Sequence, residues 1–315
     1  MSQPPVTADA PTTDRPPARV VPVRHPGRWV AAVLLLVVLA QLVQGAFRNP
    51  RFGWGTFGDF FFDSQVLSGV RATIVLTIVA MLLGIVLGTL LAIGRRSANP
   101  VVAGICWLYV WFFRAVPVLV QVLVWYNIGA LLPKVSFGIP FGGPEFVSAD
   151  AKDVVTKFMA AILGLGLSEA AYYSEIVRAG LLSVDEGQGE AAAALGMGRG
   201  LALRRIILPQ AARVIIPPTG NEFNSMLKTT SIVTIIAYTE LTYSAQLIYN
   251  TNYQVMPLLF VALTWYLIMT STLTVGQYYL ERRFARGASR ALPPTPLQRL
   301  RMLALGMPRL GGGPS

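Results

Sequence analysis

Ionisable side chains lie inside apolar stretches of this chain, where they are energetically costly and are therefore functional candidates. Glu169 falls in the apolar stretch 157–182, and Glu222 and Lys228 fall in the stretch that begins near Ala211. Lys228 with Glu169 or Glu222 would offer a cation and an anion to a zwitterionic solute, or would form an interhelical salt bridge that never meets solute. Both interpretations are open on the sequence. The candidate pathway residues are Glu169, Asn221, Glu222, Lys228, Thr229 and Ser231.

A second polar group lies toward the other end of the stretch 157–182. Glu175 and Arg178 are three residues apart, which places them on one face of a helix. Arg114 lies just before Pro117, a residue that should bend an earlier apolar stretch. A purely structural ion pair explains this group as well as a gate does. Its members are Arg114, Pro117, Gln121, Tyr172, Glu175 and Arg178.

Membrane-spanning helices are the elements that must position these residues. The chain of 315 residues is 54% hydrophobic and only 13% charged, whereas soluble domains carry about 25% charged residues. We predict an all-α membrane protein, a polytopic helical bundle. Gly84 and Gly88 would either let a neighbouring helix approach closely or simply face lipid. The six predicted transmembrane helices cover about 29–47, 70–93, 115–132, 157–182, a stretch from 211 to beyond 235, and 256–280.

The distribution of arginines orients these helices. Arginines are concentrated before the first span, at Arg95 and Arg96, in the stretch 199–205 and after the last span, and such residues are retained on the cytoplasmic side. Both termini are therefore predicted to be cytoplasmic. The net charge of +11 has the same origin, so we expect lipid but no nucleic acid as a partner. Residues 1–28 are predicted to be a disordered cytoplasmic tail, and residues 287–315 a basic cytoplasmic tail.

The sequence lacks the residues of common catalytic sites. His25 and Cys106 are the only histidine and cysteine, so we expect neither histidine-based catalysis nor a Cys/His metal site. No Gly-x-x-x-x-Gly-Lys-Ser/Thr phosphate loop occurs in the chain, and that loop is the usual nucleotide cradle. We expect no catalytic residue, no metal and no cofactor on this chain.

The polar segment 185–209 carries the most distinctive spacing. Glu190-Ala191-Ala192 is followed after three residues by Gly196, and after nine more by Ile206-Ile207-Leu208-Pro209. Alanine favours helix, so we predict a short helix over 190–203, interrupted at Gly196, that a partner could approach closely. An amphipathic helix on the membrane surface is the alternative, but it does not explain the two spacings. The candidate residues here are Gly187, Glu190, Ala191, Ala192, Gly196, Arg199, Ile206, Leu208 and Pro209.

This order of residues resembles the coupling motif in the membrane subunits of binding-protein-dependent ABC importers. Further segments are similar to the branch of these permeases that serves polar amino acids and opines, although Ala115-Val116 replaces a Gly-Thr pair of that branch. The similar segments are 113–117 with Gln121, 171–188, 221–231 and 239–241. The resemblance covers about 70–286, which leaves 29–47 as an extra N-terminal transmembrane helix.

The resemblance implies a type I ABC importer permease fold over 70–286. It implies import of a polar amino acid across the bacterial cytoplasmic membrane by alternating access, coupled through the loop 185–209. The implied partners are a cytoplasmic ATPase dimer that binds ATP and Mg, a second permease subunit (the same or a sister chain) and an extracytoplasmic solute-binding protein. Two alternatives are a secondary transporter driven by an ion gradient, with Glu169 and Glu222 as the ion site, and a non-transporting scaffold that docks an ATPase.

Overall fold

The computed structural model describes residues 26–138 and 145–284. Nearly all of the predicted tail 1–28, and all of the tail 287–315, lie outside these residues. Contacts divide the chain into two compact units, Met1–Phe52 and Gly53–Ser315.

The described part of the first unit is an apolar helix. Helix α1 spans Pro26–Arg48 and is followed by a 3-10 turn at Pro50–Phe52. It begins three residues before the predicted span, because proline is well suited to the first position of a helix. The stretch Trp29–Arg48 is long and apolar enough to cross a membrane. A helix of spanning length therefore lies where the sequence predicted the extra first span.

The second unit begins with helices α2 (Trp54–Phe61) and α3 (Ser64–Gly94). Asp63 starts α3, since its carboxylate accepts a hydrogen bond from the backbone N–H of Gln65 at 2.8 Å. This side-chain cap satisfies one of the free N–H groups of the first helical turn.

A sharp bend joins the next two helices. α4 covers Pro100–Ala115, α5 covers Val118–Tyr126, and their axes differ by 101°. Pro117 causes the bend because it disfavours a helical conformation at the residue before it, and Val116 is indeed extended. The predicted kink is present. The predicted single span 115–132 is instead α5 followed by the short helix α6 (Ile128–Leu131).

A small hairpin follows α6, between the third and fourth predicted spans. Strands β1 (Lys134–Gly138) and β2 (Glu145–Asp150) pair antiparallel, and α7 (Ala151–Val154) comes next. β-Branched and aromatic residues, which favour strands, alternate here with polar ones. The bundle is helical apart from this one hairpin in the described chain.

Helix α8 (Lys157–Leu182) packs along α3 through small residues. A Cβ placed on Gly88 would lie 2.7 Å from the carbonyl oxygen of Ala170, and one placed on Gly84 would overlap the side chain of Glu169. Close approach through small residues is how membrane helices associate, since lipid tails supply little hydrophobic drive. Of the two interpretations that the sequence left open for Gly84 and Gly88, the structure shows close packing and not a lipid-facing surface.

The rest of the chain is a series of helices with two short irregular turns. α12 was not predicted as a separate helix, because the fifth span was expected to continue past Ile235; Glu240 starts it by accepting hydrogen bonds from the backbone N–H groups of Thr242 and Tyr243, each at 2.9 Å. The elements are α9 (Glu186–Ala194), α10 (Arg199–Ala202), a π-helical turn (Leu203–Ile207), α11 (Leu208–Thr229), a 3-10 helix (Thr230–Ile236), α12 (Leu241–Asn252) and α13 (Val255–Phe284).

All six segments predicted as spans are helical, but they differ in polarity. Within the described residues α1, α3 and α13 are long and apolar enough to cross a membrane, and the bent pair α4–α5 is a fourth if it counts as one span. α8 and α11 do not meet that test, although they contain 26 and 22 residues. These two helices carry the ionisable residues that the sequence singled out.

Candidate functional site

A cavity of about 560 Å³ lies at the α4–α5 bend, beside α8 and α11. It brings together members of both predicted polar groups. From the gate group come Arg114, Pro117 and Tyr172, and from the pathway group come Glu169, Glu222 and Thr229. The other lining residues are Ala115, Val116, Val118, Leu165, Ser168, Ser225 and Met226.

Two carboxylates give this cavity its acidic character. Glu169 is 5% exposed, and its Oε1 atom has no hydrogen-bond partner in the described chain. The side chain of Glu169 packs closely against Gly84 of α3. Glu222, on α11, is half-buried. A buried carboxylate without a partner is unfavourable, so this pair suits a cationic group of a bound solute.

Arg114 supplies the positive charge of the cavity. Its guanidinium carbon lies 5.3 Å from the centre of the Tyr172 ring, which is within the range of a cation–π interaction. Its Nη1 atom lies 3.9 Å from Oε1 of Glu175. Two weak contacts therefore orient this arginine without neutralising it.

Glu175 joins three helices outside the cavity. Besides Arg114 it pairs with Arg178 on its own helix, at 2.7 Å, and with Arg95 at the end of α3. The predicted Glu175–Arg178 pair is present, and it belongs to a cluster of three arginines around one carboxylate. The sequence did not indicate Arg95, because its partner lies 80 residues away along the chain.

Gln121 stabilises the bend rather than lining the cavity. Its side-chain amide donates hydrogen bonds to the carbonyl oxygens of Phe113, at 3.0 Å, and Val116, at 2.9 Å. Carbonyl groups at the end of a helix need such partners. Gln121 is 4% exposed, so its contribution to the site is to fix the backbone that carries Arg114 and Pro117.

Lys228 does not join the carboxylates, contrary to the predicted pairing. It is exposed, it does not line the cavity, and neither do Asn221 and Ser231. On a helix of 3.6 residues per turn, Glu222 shares a face with positions three, four and seven residues further on, whereas Lys228 and Asn221 share a neighbouring face. The position of Lys228 along the chain therefore did not indicate which face of α11 it occupies. Projecting α11 from Glu222 would also have found Ser225 and Met226.

Asn221 and Ser231 have local partners instead. The side-chain oxygen of Asn221 accepts a hydrogen bond from Nε2 of Gln277, on α13, at 3.0 Å. The hydroxyl of Ser231 donates to the carbonyl oxygen of Lys228 at 2.7 Å. Both contacts stabilise the bundle around α11.

Glu240 is a fully buried carboxylate to which the sequence assigned no role. It is 0% exposed. Its oxygens accept hydrogen bonds from the hydroxyls of Thr234 and Tyr266, each at 2.8 Å, in addition to the two N–H groups that start α12. A carboxylate with this many donors is stably held in a protein interior. Its position directly before an apolar stretch, followed by Thr242, was the available signal for a helix cap.

The segment 185–209 is a helix–turn–helix, and the predicted helix over 190–203 is interrupted at Gly196, as the sequence indicated. Asp185 caps α9 by accepting from the N–H of Gly187 at 2.8 Å. Gly196 ends it with φ +70°, and the N–H groups of Gly196 and Met197 bond back to Ala193 and Ala192 at 2.9 and 3.0 Å. This is a Schellman cap, whose left-handed position favours glycine. The break in the helix follows from that glycine.

The surface of this segment is a candidate docking face. Glu190, Ala191 and Arg199 are exposed, and Leu195 is 80% exposed at the tip of the turn. Ala192 is 1% exposed and packs inward. The other predicted residues divide similarly, with Gly187, Gly196, Leu208 and Pro209 exposed and Ile206 half-buried.

No metal-binding constellation accompanies either site. Within residues 26–138 and 145–284, no group of three or more His, Cys, Asp or Glu side chains is placed to hold an ion.

Comparison with known proteins gives a consistent assignment. Residues 80–286 match the family model described as "Binding-protein-dependent transport system inner membrane component". The chain is 45% identical to a Corynebacterium glutamicum protein named "Arginine transport system permease protein ArgU", over 90% of this chain and 88% of that protein. It is 33% identical to an Escherichia coli protein named "Glutamate/aspartate import permease protein GltK", over 70% of this chain and 93% of that protein.

A solved structure agrees in fold and sequence. A chain from "Crystal structure of an amino acid ABC transporter with histidines" is 33% identical, with a TM-score of 0.58 over 70% of this chain and 94% of that chain. These matches do not favour a secondary transporter or a scaffold. The protein is a membrane permease subunit and not an enzyme. The chain belongs to the family of binding-protein-dependent transport system inner membrane components.

Proposed function

We propose that this permease imports a basic amino acid across the bacterial cytoplasmic membrane. The observation that carries the proposal is the set of ionisable side chains at the cavity, where Arg114 is the one basic residue and Glu169 and Glu222 are the two acidic residues among the described lining residues. A basic amino acid carries one carboxylate, one ammonium group and one cationic side chain. Each of these three charges can pair with an opposite charge in the cavity. The name of the Corynebacterium glutamicum relative, at 45% identity, supports the same substrate class.

The cavity would discriminate between amino acids because a solute that leaves one of its buried charged residues without a partner binds less favourably. Arg114 would bind the carboxylate of the amino acid, and Glu169 and Glu222 would bind its ammonium and its cationic side chain. Glutamine would leave one cavity carboxylate without a partner, and glutamate would add a third. Sites built around buried polar groups reject ligands that leave those groups unpaired.

Coupling to ATP would occur through the segment 185–209. Its exposed face, with Glu190, Arg199 and Leu195, fits docking into a cleft of a separate ATPase dimer that binds ATP and Mg. Movement of this segment would rock the helices between inward-facing and outward-facing states. A second permease subunit, identical or a sister chain, and an extracytoplasmic solute-binding protein would complete the importer, with both termini of this chain in the cytoplasm. The residues around Glu175 would act as a structural hinge beside the cavity.

The test is uptake by the reconstituted importer in proteoliposomes. We expect uptake of arginine or lysine to exceed that of glutamine and glutamate, since only the basic amino acids balance the cavity. Glu222→Gln should reduce basic amino acid uptake by about tenfold, the effect of one lost charge-assisted hydrogen bond. Lys228→Gln, one face away on the same helix, is the matched control and should leave uptake unchanged. Preferential uptake of glutamate, or an equal loss in both variants, would refute this assignment.

A further inference from the structure

A second cavity, of about 640 Å³, lies between the segment 185–209 and the adjoining ends of α3, α4 and α8. Its walls are largely apolar. Ile93, Val102, Leu182 and Leu203 line it and are 58%, 40%, 59% and 43% exposed. The volume is in the range of cavities that bind small molecules, and the exposed apolar walls favour a ligand with a hydrocarbon part.

Three charged side chains lie at the same cavity. They are Arg96, between α3 and α4, and Asp185 and Glu186, at the start of α9. Within the described chain none of the three forms an ion pair with a protein group. Asp185 uses Oδ1 to accept from the N–H of Gly187, which leaves its second oxygen for a ligand. The cavity therefore offers one cation, two anions and a hydrocarbon wall.

We propose that this cavity binds a phospholipid with a primary ammonium headgroup, phosphatidylethanolamine. The ammonium would donate hydrogen bonds to Asp185 and Glu186, the phosphate would bind Arg96, and part of an acyl chain would cover Ile93, Leu182 and Leu203. Phosphatidylglycerol offers no cation to the two carboxylates, and phosphatidylserine would bring a third carboxylate beside them. A choline headgroup carries its charge on a nitrogen with no N–H donor. A free amino acid would leave the apolar walls uncovered.

The position of the cavity gives such a lipid a role in coupling. It is bounded on one side by α9 and the π-helical turn, and on the other by the ends of α3 and α8. Any movement of the segment 185–209 relative to these ends changes the cavity. A lipid bound there would shift the equilibrium between the inward-facing and outward-facing states if its affinity for the two states differs.

Lipid retention by the full chain tests the binding site independently of the transported solute. The protein is equilibrated in nanodiscs of equal phosphatidylethanolamine and phosphatidylcholine, extracted gently, and the lipids that remain bound are counted by mass spectrometry. We expect phosphatidylethanolamine to be enriched about tenfold, the worth of a charge-assisted hydrogen bond. The double variant Asp185→Asn/Glu186→Gln should abolish the enrichment, and asparagine keeps the α9 cap. Glu145→Gln, an exposed carboxylate on the hairpin, should keep it.

A cavity-filling variant locates the lipid. Gly189 lines the cavity and a Cβ placed on it meets no atom within 4 Å, so Gly189→Leu should occupy the space and abolish the enrichment. Equal retention of both lipids by the unaltered protein would overturn the proposal. So would enrichment that survives the double variant, or that survives Gly189→Leu, since the lipid would then bind elsewhere.

Discussion

Arg114 shares the carboxylate of Glu175 with two other arginines, Arg95 and Arg178. Glu175 is 22% exposed, and its partners Arg95, Arg114 and Arg178 are 18%, 47% and 40% exposed. Breaking a buried ion pair by removing one partner costs about 3–5 kcal/mol, but partial exposure reduces such effects toward the surface value of about 1 kcal/mol. The cluster therefore acts mainly by orienting Arg114.

Replacing Glu175 tests this orienting role. Glu175→Gln should lower uptake several-fold, because Arg114 loses its fixed position, while the free energy of unfolding should fall by only about 1 kcal/mol. Uptake and thermal unfolding in lipid are the measurements. Asp150→Asn removes the exposed pair with Lys152, whose charged atoms are 3.6 Å apart, and should change neither quantity. A large loss of stability with normal uptake would assign Glu175 to folding alone.

At the scale of elements, glycines decide where helices approach and where they stop. Gly84 lets α3 approach α8 at Glu169, and Gly196 ends α9 in a left-handed conformation at φ +70°. These two functions differ physically. Gly84 is required because a Cβ at this position would overlap the neighbouring helix. A Cβ on Gly196 would meet no atom within 4 Å, so a larger residue there is disfavoured only by the left-handed backbone conformation.

Substitution of Gly196 should therefore weaken the cap without a steric clash. We expect Gly196→Ala to destabilise the turn by about 1 kcal/mol, the penalty of a left-handed conformation for an alanine, and to weaken ATPase binding. Titration of the ATPase against the reconstituted permease measures this change. Gly200→Ala, in α10 and equally free of contacts, should leave binding unchanged because its backbone is helical. Equal affinities of the two variants would contradict the cap argument.

The sequence predicted the elements whose cause is local and missed those whose cause is distant. The bend at Pro117 and the packing of Gly84 depend on the backbone chemistry of single residues. The cap of α12 depends partly on Tyr266, 26 residues away from Glu240, and the hairpin depends on pairing across a loop. In the cavity, Glu169 and Glu222 were predicted correctly because charged residues are easily recognised in an apolar stretch. The sequence predicted Lys228 as the basic residue, but the cavity contains Arg114, because only the folded bend decides which basic side chain faces inward.

At the scale of the whole molecule, the cavity and the segment 185–209 belong to the same unit and share α8 and α11. The cavity residues Glu169 and Tyr172 lie on α8, whose end leads into α9, and Glu222 lies on α11, which follows the π-helical turn. Under the proposed coupling role, a displacement of the segment would therefore act on both acidic walls at once. This connection would link docking at the exposed face of the segment to the affinity of the cavity for its solute.

Docking should depend on the exposed leucine at the tip of the segment. Leu195→Asp should abolish ATPase association, since a leucine that fills a partner pocket is worth about 2 kcal/mol or more, while the permease remains folded. Co-purification of the ATPase and thermal unfolding are the two measurements. Leu131→Asp provides the control, as Leu131 is 76% exposed, close to the 80% of Leu195, but lies beside the hairpin. Loss of association in both variants would indicate a nonspecific effect of the charge.

The positions of the donors around Glu240 along the chain predict an order of assembly during membrane insertion. Three of them, from Thr234, Thr242 and Tyr243, lie within six residues of the carboxylate, and the fourth comes from Tyr266 on α13. The turn before α12 can thus form three of the four hydrogen bonds to the Glu240 carboxylate as soon as it leaves the ribosome. The fourth forms when α13 packs against the turn. A nascent chain truncated before Tyr266 is therefore expected to form this turn already, and a protease-protection assay on stalled chains would detect it.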